Sequence, residues 1–320
     1  MIGRGTFGGV FLVRTKVKDS NELNYAAMKV ESLRRNREEE VLEAELYVLL
    51  KMQGISSFCT IYKYGRIDKL IYVVMTLLGQ DIGELRRMQP RRRFSAATTL
   101  RIGIQLLKAL CALHSEGFVH RDLKPASIAV GHKSPDVIYL FDFGWAHYIY
   151  RDNAKTELKQ PRERIPFCGT YRYCSLNAQM CMEQGRVDDL WSVLVCFNFV
   201  DVVNKLLQFI LAECRRRKLP WSKNTKDECQ RVKEWPELAE NLLEGCPPSL
   251  TVIFENLNLL GFFDRPDYEL FIQWLEDDLE TDPGDNKNVF DWQREGYSAE
   301  RVKIDEMTGS DTQASLQKNV

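Results

Sequence analysis

Two aspartates lie near each other in the sequence, each inside a short motif. Asp122 is in "HRDLKP", which begins at His120, and Asp142 is in "FDFG", which ends at Gly144. Between them, "IAVGHKSPDVIYL" at residues 128–140 predicts two short strands and a turn, and a hairpin of that length brings both carboxylates to one cleft. There, one carboxylate can accept the proton of an incoming hydroxyl, and the other can bind a magnesium ion that bridges phosphates.

Three glycines near the start of the chain, Gly3, Gly5 and Gly8, follow the pattern GxGxxG. Alone this is weak evidence, because the pattern is found in dinucleotide-binding turns, in loops that cover the phosphates of a nucleotide, and in flexible turns. A dinucleotide-binding turn opens a helix, whereas the "VFLV" after these glycines predicts a strand. We therefore favour a phosphate-covering loop, in which glycine lets backbone N–H groups approach the phosphates closely.

A lysine and a glutamate farther along are candidates for an ion pair beside the phosphates. Lys29 lies in "AAMKV", which predicts a strand, and residues 38–52 predict an amphipathic helix. In that helix Glu45 has apolar residues one turn before and one turn after it, so it lies on the inward face. Residues 38–40 suit a solvated first turn instead. Lys29 either faces water or contacts the α- and β-phosphates while paired with Glu45.

The pattern of apolar and polar residues along the chain predicts a strand-rich first quarter followed by a helical region. Two strands joined by a polar turn are predicted over residues 8–30, and "LIYVVMTLL" at 70–78 predicts a buried strand. A long apolar helix is predicted from residue 98 to Gly117. This order predicts an α+β chain with a small sheet lobe and a large helical lobe.

The composition argues against several classes of protein. The 320 residues carry a net charge of −1, without the basic excess expected of a nucleic-acid binder. The nine cysteines are irregularly spaced, and the three nearest to a cluster, Cys168, Cys174 and Cys181, fit no common zinc-ligand pattern. The start, "MIGRGTFGG", has no apolar signal core, so we expect reduced thiols in an intracellular protein, cytoplasmic or nuclear.

One apolar segment, residues 190–214, is long enough to span a membrane. Asn198, Asp201 and Lys205 interrupt it, and a charged side chain near the centre of a spanning helix costs about 2.5 to 3.5 kcal/mol. We therefore predict a buried helical region and no membrane partner.

The glycine loop, strand lysine, helix glutamate, "HRD" and "DFG" occur in the order typical of one family, and the chain resembles the eukaryotic protein kinases over nearly its whole length. The resemblance implies that Asp122 is the catalytic base, Lys124 a phosphate-contacting lysine and Asp142 the magnesium ligand. It also assigns catalytic roles to Lys29 and Glu45 as the pair that orients ATP.

The resemblance further implies a nucleotide site with ATP and Mg²⁺, or Mn²⁺, as cofactors. Met75 corresponds to the gatekeeper, and Thr76 and Leu78 correspond to the hinge that faces adenine. The residues expected to contact the cofactor are Ile2, Gly3, Gly5, Gly8, Val10, Ala27, Lys29, Met75, Thr76, Leu78 and Ala129.

The implied fold is the two-lobed α+β kinase fold, with a small β-rich N-lobe that lacks most of its first strand and a large helical C-lobe. The kinase domain is expected over residues 1–297, with the N-lobe at 1–75, the hinge at 76–79 and the C-lobe at 80–297. The polar residues 298–320 are expected to form a disordered tail.

A branch of the family is indicated by the segment "GTYRYCSLNAQ" at 169–179. It lacks the Ala-Pro-Glu of most kinases and is similar to the casein kinase I superfamily. "GRVDDLWS", "KLPW", "FDRPDYELF" and "FDWQ" look most like the tau-tubulin kinase branch, including divergent nematode-type members. This implies a protein substrate with a Ser or Thr acceptor, acidic or pre-phosphorylated, recognised through Arg172. Arg162 and Arg164 are either further anion contacts or a solvated charge run.

Three features depart from the family pattern. Ser127 stands where the family has a metal-binding Asn, and a hydroxyl is a weaker magnesium ligand than an amide oxygen. Only Met1 and Ile2 precede the glycine loop, so we expect a weakened sheet edge above the nucleotide unless the start is a truncated gene model. An extra run, "CFNFVDVVNKLLQF" at 196–209, lies in a central helix, where it must be packed or looped out unless it is a gene-model error.

Two functions therefore remain open from the sequence. Intact Lys29, Asp122 and Asp142 favour an active Ser/Thr protein kinase. Ser127, the short start and the extra run favour a pseudokinase that binds a nucleotide or a partner without transferring phosphate.

Overall fold

The computed structural model describes most of the chain. The described ranges are residues 1–4, 8–16, 23–32, 41–89, 92–200, 247–282 and 289–294. Gly5, residues 201–209 of the extra run and the predicted tail lie outside them, as do the side chains of residues 196–200.

The N-terminal part forms an antiparallel five-stranded sheet in the order β1-β2-β3-β5-β4. Its strands are β1 (Gly3–Arg4), β2 (Gly8–Lys16), β3 (Leu23–Ser32), β4 (Ile61–Ile67) and β5 (Leu70–Thr76). Side chains of β5 alternate in burial, with Ile71, Val73 and Met75 on the buried side, as expected where one face of a sheet packs on a core. The pairing of β2 with β3 confirms the predicted strands within residues 8–30.

Helix α1 (Val41–Lys51) packs against this sheet through the buried side chains of Leu42, Leu46 and Leu49. The start of the helix is tied to β3, because the backbone N–H of Leu42 donates to Glu31 Oε2 at 3.1 Å. A carboxylate at this end satisfies an N–H group that lacks a partner within the helix and complements the helix dipole. The contact fixes the distance between β3 and α1, the two elements that carry the predicted ion pair.

The C-terminal part is helical, as predicted. Its helices are α2 (Ile82–Met88), α3 (Ala96–Ser115), α4 (Leu176–Gln179), α5 (Arg186–Val200), α6 (Pro248–Asn258) and α7 (Tyr268–Thr281). The central helix α3 starts two residues earlier than predicted, because Ser95 Oγ accepts from the N–H of Thr98 and caps it. It ends before Gly117, whose φ of +88° suits a residue without a side chain.

Helix α3 is also long and apolar enough to cross a membrane, the one such helix within the described part of the chain. Some 67% of its most apolar window is buried inside the protein, with Leu106, Leu110 and Leu113 at 1% exposure or less. It serves as the core on which α5 and α7 pack. Of the segment 190–214, only the part within α5 lies in the described ranges.

Two small sheets lie beside these helices. They contain β6 (Leu78–Asp81), β8 (Ile128–Gly131) and β9 (Ile138–Leu140) in one sheet and β7 (Phe118–Val119) with β10 (His147–Tyr148) in the other. The antiparallel pairing of β8 with β9 confirms the hairpin predicted between the two aspartates. The strand predicted over 70–78 is wrong at its end, because β5 stops at Thr76 and Leu78 starts β6 in a different sheet. The chain crosses between sheets at Leu77.

The short segment 289–294 is anchored to the start of α3. Asp291 accepts from the backbone N–H of Ser95 at 2.6 Å and from its hydroxyl at 2.9 Å. In return, the backbone N–H of Asp291 donates to Thr98 Oγ1 at 3.0 Å, and the Trp292 indole donates to Pro135 O at 2.9 Å. The "FDWQ" motif is therefore a clamp on the helix that leads into the "HRD" segment.

Replacing Asp291 should destabilise the protein. Asp291→Ala leaves two partly buried donors of Ser95 without their acceptor, so we expect the free energy of unfolding to fall by about 1 to 3 kcal/mol in urea denaturation. Asp277→Ala, at an exposed aspartate of α7, is the matched control and should cost less than about 0.5 kcal/mol. An equal loss of unfolding free energy in the two variants would contradict a stabilising role for the contacts of Asp291 with α3.

Candidate active site

The predicted ion pair between β3 and α1 is present. Lys29 Nζ lies 2.5 Å from Glu45 Oε2, and the Glu45 side chain is only 4% exposed. Burial tends to lower the pKa of Lys29, but the charge and hydrogen bond of Glu45 raise it above its ordinary value, so the ammonium stays protonated. Periodicity in the sequence correctly selected Glu45. It did not reveal Glu31, which holds the helix that carries Glu45.

The segment around "HRD" is held by the buried carboxylate of Asp189 in α5. Asp189 accepts from the backbone N–H of His120 at 2.7 Å and of Arg121 at 2.9 Å. His114 Nε2 lies 2.8 Å from the same carboxylate. Burial alone would raise the pKa of Asp189, but the hydrogen bond and charge of His114 bring it below its ordinary value. The ionised carboxylate holds Arg121 in a left-handed conformation, at φ +67°, immediately before Asp122.

Asp122 lies between a cation and a hydroxyl. Lys124 Nζ forms a short ion pair with Asp122 Oδ2, and the Thr170 hydroxyl donates to Asp122 Oδ1 at 2.6 Å. Lys124 Nζ is also 3.8 Å from Asp142 Oδ2. The structure therefore brings the two predicted aspartates to one site, with Lys124 between their carboxylates.

Asp142 is positioned by the residues next to it. It adopts a left-handed backbone, φ +68° and ψ +60°, which aspartate tolerates better than most residues. The following Phe143 is fully buried, with ring centroids 5.8 Å from Phe58 and 5.2 Å from His120. While Phe143 is packed inside, the Asp142 side chain remains 41% exposed. The carboxylate is thus accessible to an external ligand.

The Ser127 hydroxyl is engaged within the catalytic loop. It accepts from the backbone N–H of Lys124 at 3.0 Å and donates to the carbonyl of the same residue at 2.9 Å, and Asp122 O is 3.4 Å away. Ser127 is fully buried and closes the short 3₁₀ turn Pro125–Ser127. The proton of the hydroxyl is used by the loop, so any metal contact would rely on the remaining lone pair of its oxygen.

The positions expected to contact a nucleotide fall on neighbouring strands. In the first sheet Val10 is opposite Lys29 and Ala27 is opposite Met75. Across the change of sheet, Leu78 and Ala129 lie on the paired strands β6 and β8, Thr76 ends β5, and the N–H of Ile2 donates to Val10 O at 2.8 Å. Their contact with a nucleotide stays a prediction.

Of the loop glycines, the structure describes Gly3 and Gly8, and they differ in how much space a side chain would have. A Cβ at Gly8 would lie 1.8 Å from Val30 O, so the pairing of β2 with β3 itself requires glycine there. A Cβ at Gly3 would come no closer than 3.6 Å to Val10, which is ordinary contact. Strand packing therefore accounts for Gly8 without any phosphate, and Gly3 is the position whose glycine packing does not explain.

The donor groups fit a magnesium ion that is shared with a nucleotide. Among the residues the structure describes, no group of three or more His, Cys, Asp or Glu side chains converges as a metal cage. Magnesium in proteins is commonly held by one or two carboxylates together with phosphate oxygens and water. The accessible carboxylate of Asp142, with Lys29 and Lys124 as nearby cations, suits that arrangement.

Comparison with known proteins agrees with this geometry. The protein kinase domain family matches residues 1–247. A probable serine/threonine-protein kinase of Dictyostelium discoideum is 34% identical over 91% of this chain and 55% of the relative. A putative serine/threonine-protein kinase of Caenorhabditis elegans is 33% identical over 86% of this chain and 75% of the relative. The serine/threonine-protein kinase spe-6 of Caenorhabditis elegans is 28% identical over 97% of this chain and 79% of the relative.

The chain spans little more than half the length of the Dictyostelium relative. The family match covers most of the chain, including the glycine loop, both aspartate motifs and all of α5. The sheet and helical regions correspond to the two lobes of the α+β kinase fold. The chain therefore belongs to the protein kinase domain family, and the relatives that it resembles are named serine/threonine-protein kinases.

Proposed function

We propose that this chain is an active protein serine/threonine kinase that transfers the γ-phosphate of ATP to a Ser or Thr hydroxyl of a protein. The observation that carries the proposal is the set of contacts around Asp122. Its carboxylate is bound by Lys124 and Thr170, and Lys124 also approaches Asp142. Family membership implies ATP, a divalent metal and a protein substrate.

The residues of the site divide the reaction between them. Asp122 would receive the proton of the substrate hydroxyl, since its carboxylate is held by Lys124 and Thr170 in the same site as Asp142. Lys124 would hold that carboxylate and offset negative charge on the transferred group. Lys29, kept protonated by Glu45, would bind the other phosphates. Asp142 would hold a magnesium ion, which would offset the negative charge of the phosphate oxygens.

The metal site is where this chain departs most from its family. With the Ser127 hydroxyl engaged by Lys124, we propose that Asp142 is the main protein ligand of one metal ion, Mg²⁺ or Mn²⁺. The rival function, a pseudokinase that binds nucleotide or a partner, is favoured by that same observation. The intact Lys29–Glu45 pair and the fixed Asp122 support catalysis instead.

The finer assignments remain proposals of the same kind. We place the chain in the casein kinase I superfamily, near the tau-tubulin kinase branch, and expect an intracellular location without nucleic-acid or membrane partners. An acidic or pre-phosphorylated substrate would be recognised through Arg164 and Arg172. Arg162, also a candidate, donates two hydrogen bonds to Glu183, which use two of the five N–H donors of its guanidinium group. The clamp at Asp291 supports a kinase domain that extends to about residue 297.

Transfer of labelled phosphate from ATP to casein tests the proposed function. We expect transfer with magnesium and, separately, with manganese, on Ser or Thr but not on Tyr. Asp122→Asn removes the proton acceptor while nearly keeping its shape, and should lower the rate by at least ~10²-fold. A folded wild-type protein that binds ATP but transfers nothing with either metal would support the pseudokinase and contradict the kinase.

Ser127→Asn should raise activity, because an amide oxygen is a better magnesium ligand than a hydroxyl that the loop already uses. We expect the rate with magnesium to rise by about tenfold, equivalent to ~1.4 kcal/mol of transition-state stabilisation. The ratio of the rates with manganese and magnesium should fall in the same variant. Ser127→Ala, which supplies no new oxygen, is the control and should not raise the rate. An unchanged rate in Ser127→Asn would show that the metal site does not limit the reaction.

A further inference from the structure

A buried carboxylate outside the catalytic cluster connects two separate segments of the chain. The Glu183 side chain is 5% exposed. Its Oε2 accepts from Arg162 Nε at 2.5 Å and its Oε1 accepts from Arg162 Nη2 at 3.1 Å. Arg121 Nη1 lies 3.9 Å from the same Oε1. A two-point contact between guanidinium and carboxylate is among the strongest pairings of side chains.

Arg121 carries this contact into the catalytic loop. Its backbone N–H is bound by Asp189, and its guanidinium Nε donates to the carbonyl of Trp145 at 2.7 Å. It directly precedes Asp122, the proposed proton acceptor. Glu183 therefore lies one side chain away from the loop that positions Asp122.

Arg162 carries the contact in the other direction, into a solvent-exposed stretch. Residues 160–164 are all exposed, and the Arg162 side chain is itself 55% exposed. The nearest backbone hydrogen bonds of this stretch are those of Lys159 N–H to Ile149 O and Ile165 N–H to Cys181 O. Between Lys159 and Ile165, the ion pair of Arg162 with Glu183 is the side-chain contact that holds this stretch to the rest of the protein.

The carboxylate of Glu183 balances the positive charges of Arg121 and Arg162 beside it. A cavity of about 230 Å³ is lined by His147, Ile149, Lys159, Gln160, Arg162, Glu183 and Phe262. Glu183 is the single acid among these described residues, and Arg121 adds a further cation beside it. Burial, and next the charge of Arg121, lower the pKa of His147 to about 4, so its ring is neutral at pH 7. Without Glu183, Arg121 and Arg162 would repel each other across a partly dehydrated site.

Burial alone would raise the pKa of Glu183. The hydrogen bond and charge of Arg162, with a smaller contribution from the charge of Arg121, bring it below the ordinary value instead. The carboxylate is therefore ionised at neutral pH. Clusters of arginine like this one commonly order a segment by binding an added phosphate group, but here a side chain of the protein already occupies that role.

We infer that Glu183 is a positioning residue that holds the exposed segment 160–164 against the catalytic loop, so that this segment is ordered without phosphorylation. The inference rests on the proposed kinase function for its effect on rate, but not for its effect on the order of the segment. Glu183→Gln keeps the size of the side chain and removes its charge. Glu163→Gln, at an exposed glutamate of the same segment, is the matched control.

Two readouts test the inference with the full chain. The first is trypsin cleavage after Arg162 or Arg164 in the folded protein, which needs no kinase activity. We expect cleavage to be about tenfold faster in Glu183→Gln, since each ~1.4 kcal/mol of lost anchoring changes the open population tenfold. The second is the rate of phosphate transfer, for which kcat should fall by about 10- to 100-fold, while the KM for ATP changes by less than about threefold.

The possible outcomes distinguish the positioning role of Glu183 from the proposed kinase activity. Unchanged cleavage and unchanged kcat in Glu183→Gln would overturn the inference. If the wild-type protein transfers no phosphate, faster cleavage in the variant still supports the inference and unchanged cleavage still overturns it. Should Glu183→Gln fail to fold, Arg162→Gln breaks the same pair from its exposed side and must then expose Arg164 to trypsin. Glu183→Asp keeps the charge and should restore most of the wild-type kcat, which a purely steric role would not predict.

Discussion

The catalytic loop of this protein depends on one buried carboxylate, that of Asp189. A buried charge is costly unless its hydrogen-bonding capacity is satisfied, and Asp189 meets this condition with the N–H groups of His120 and Arg121 and the ring of His114. Tyr268 in α7 contacts the other nitrogen of that ring. Three helices, α3, α5 and α7, are thereby joined to two consecutive backbone groups, and Asp122 follows directly.

A second buried contact fixes the other side of the site. Glu45 can reach Lys29 only while α1 stays close to β3, and Glu31 keeps it there by binding the first turn of the helix. Phe143, packed on Phe58 and His120, links this region to the catalytic loop and leaves Asp142 accessible. The groups proposed to bind phosphate, metal and substrate hydroxyl are therefore held by contacts within the protein itself, which reduces the reorganisation needed during the reaction.

Much of the site could be predicted from the sequence, since its parts have local signatures. Motif order identified Asp122 and Asp142, and helical periodicity identified Glu45. What the sequence did not reveal are contacts between residues far apart in the chain, such as those of Asp189, Thr170 and Glu183. Nothing local distinguishes these side chains from other polar residues, because each acquires its partner only when the helices pack. The structure also changes the interpretation of Ser127, which the sequence presented only as a poor metal ligand and which in fact caps its own loop.

We propose that contacts within the chain are sufficient to assemble the site for phosphoryl transfer. The most direct test is the early time course of phosphate transfer from ATP by protein that has first been freed of phosphate with a phosphatase. We expect product formation that is linear from the earliest time point and that is lost in Asp122→Asn. A lag that disappears after preincubation with ATP, or the absence of transfer by a folded protein that binds ATP, would contradict it.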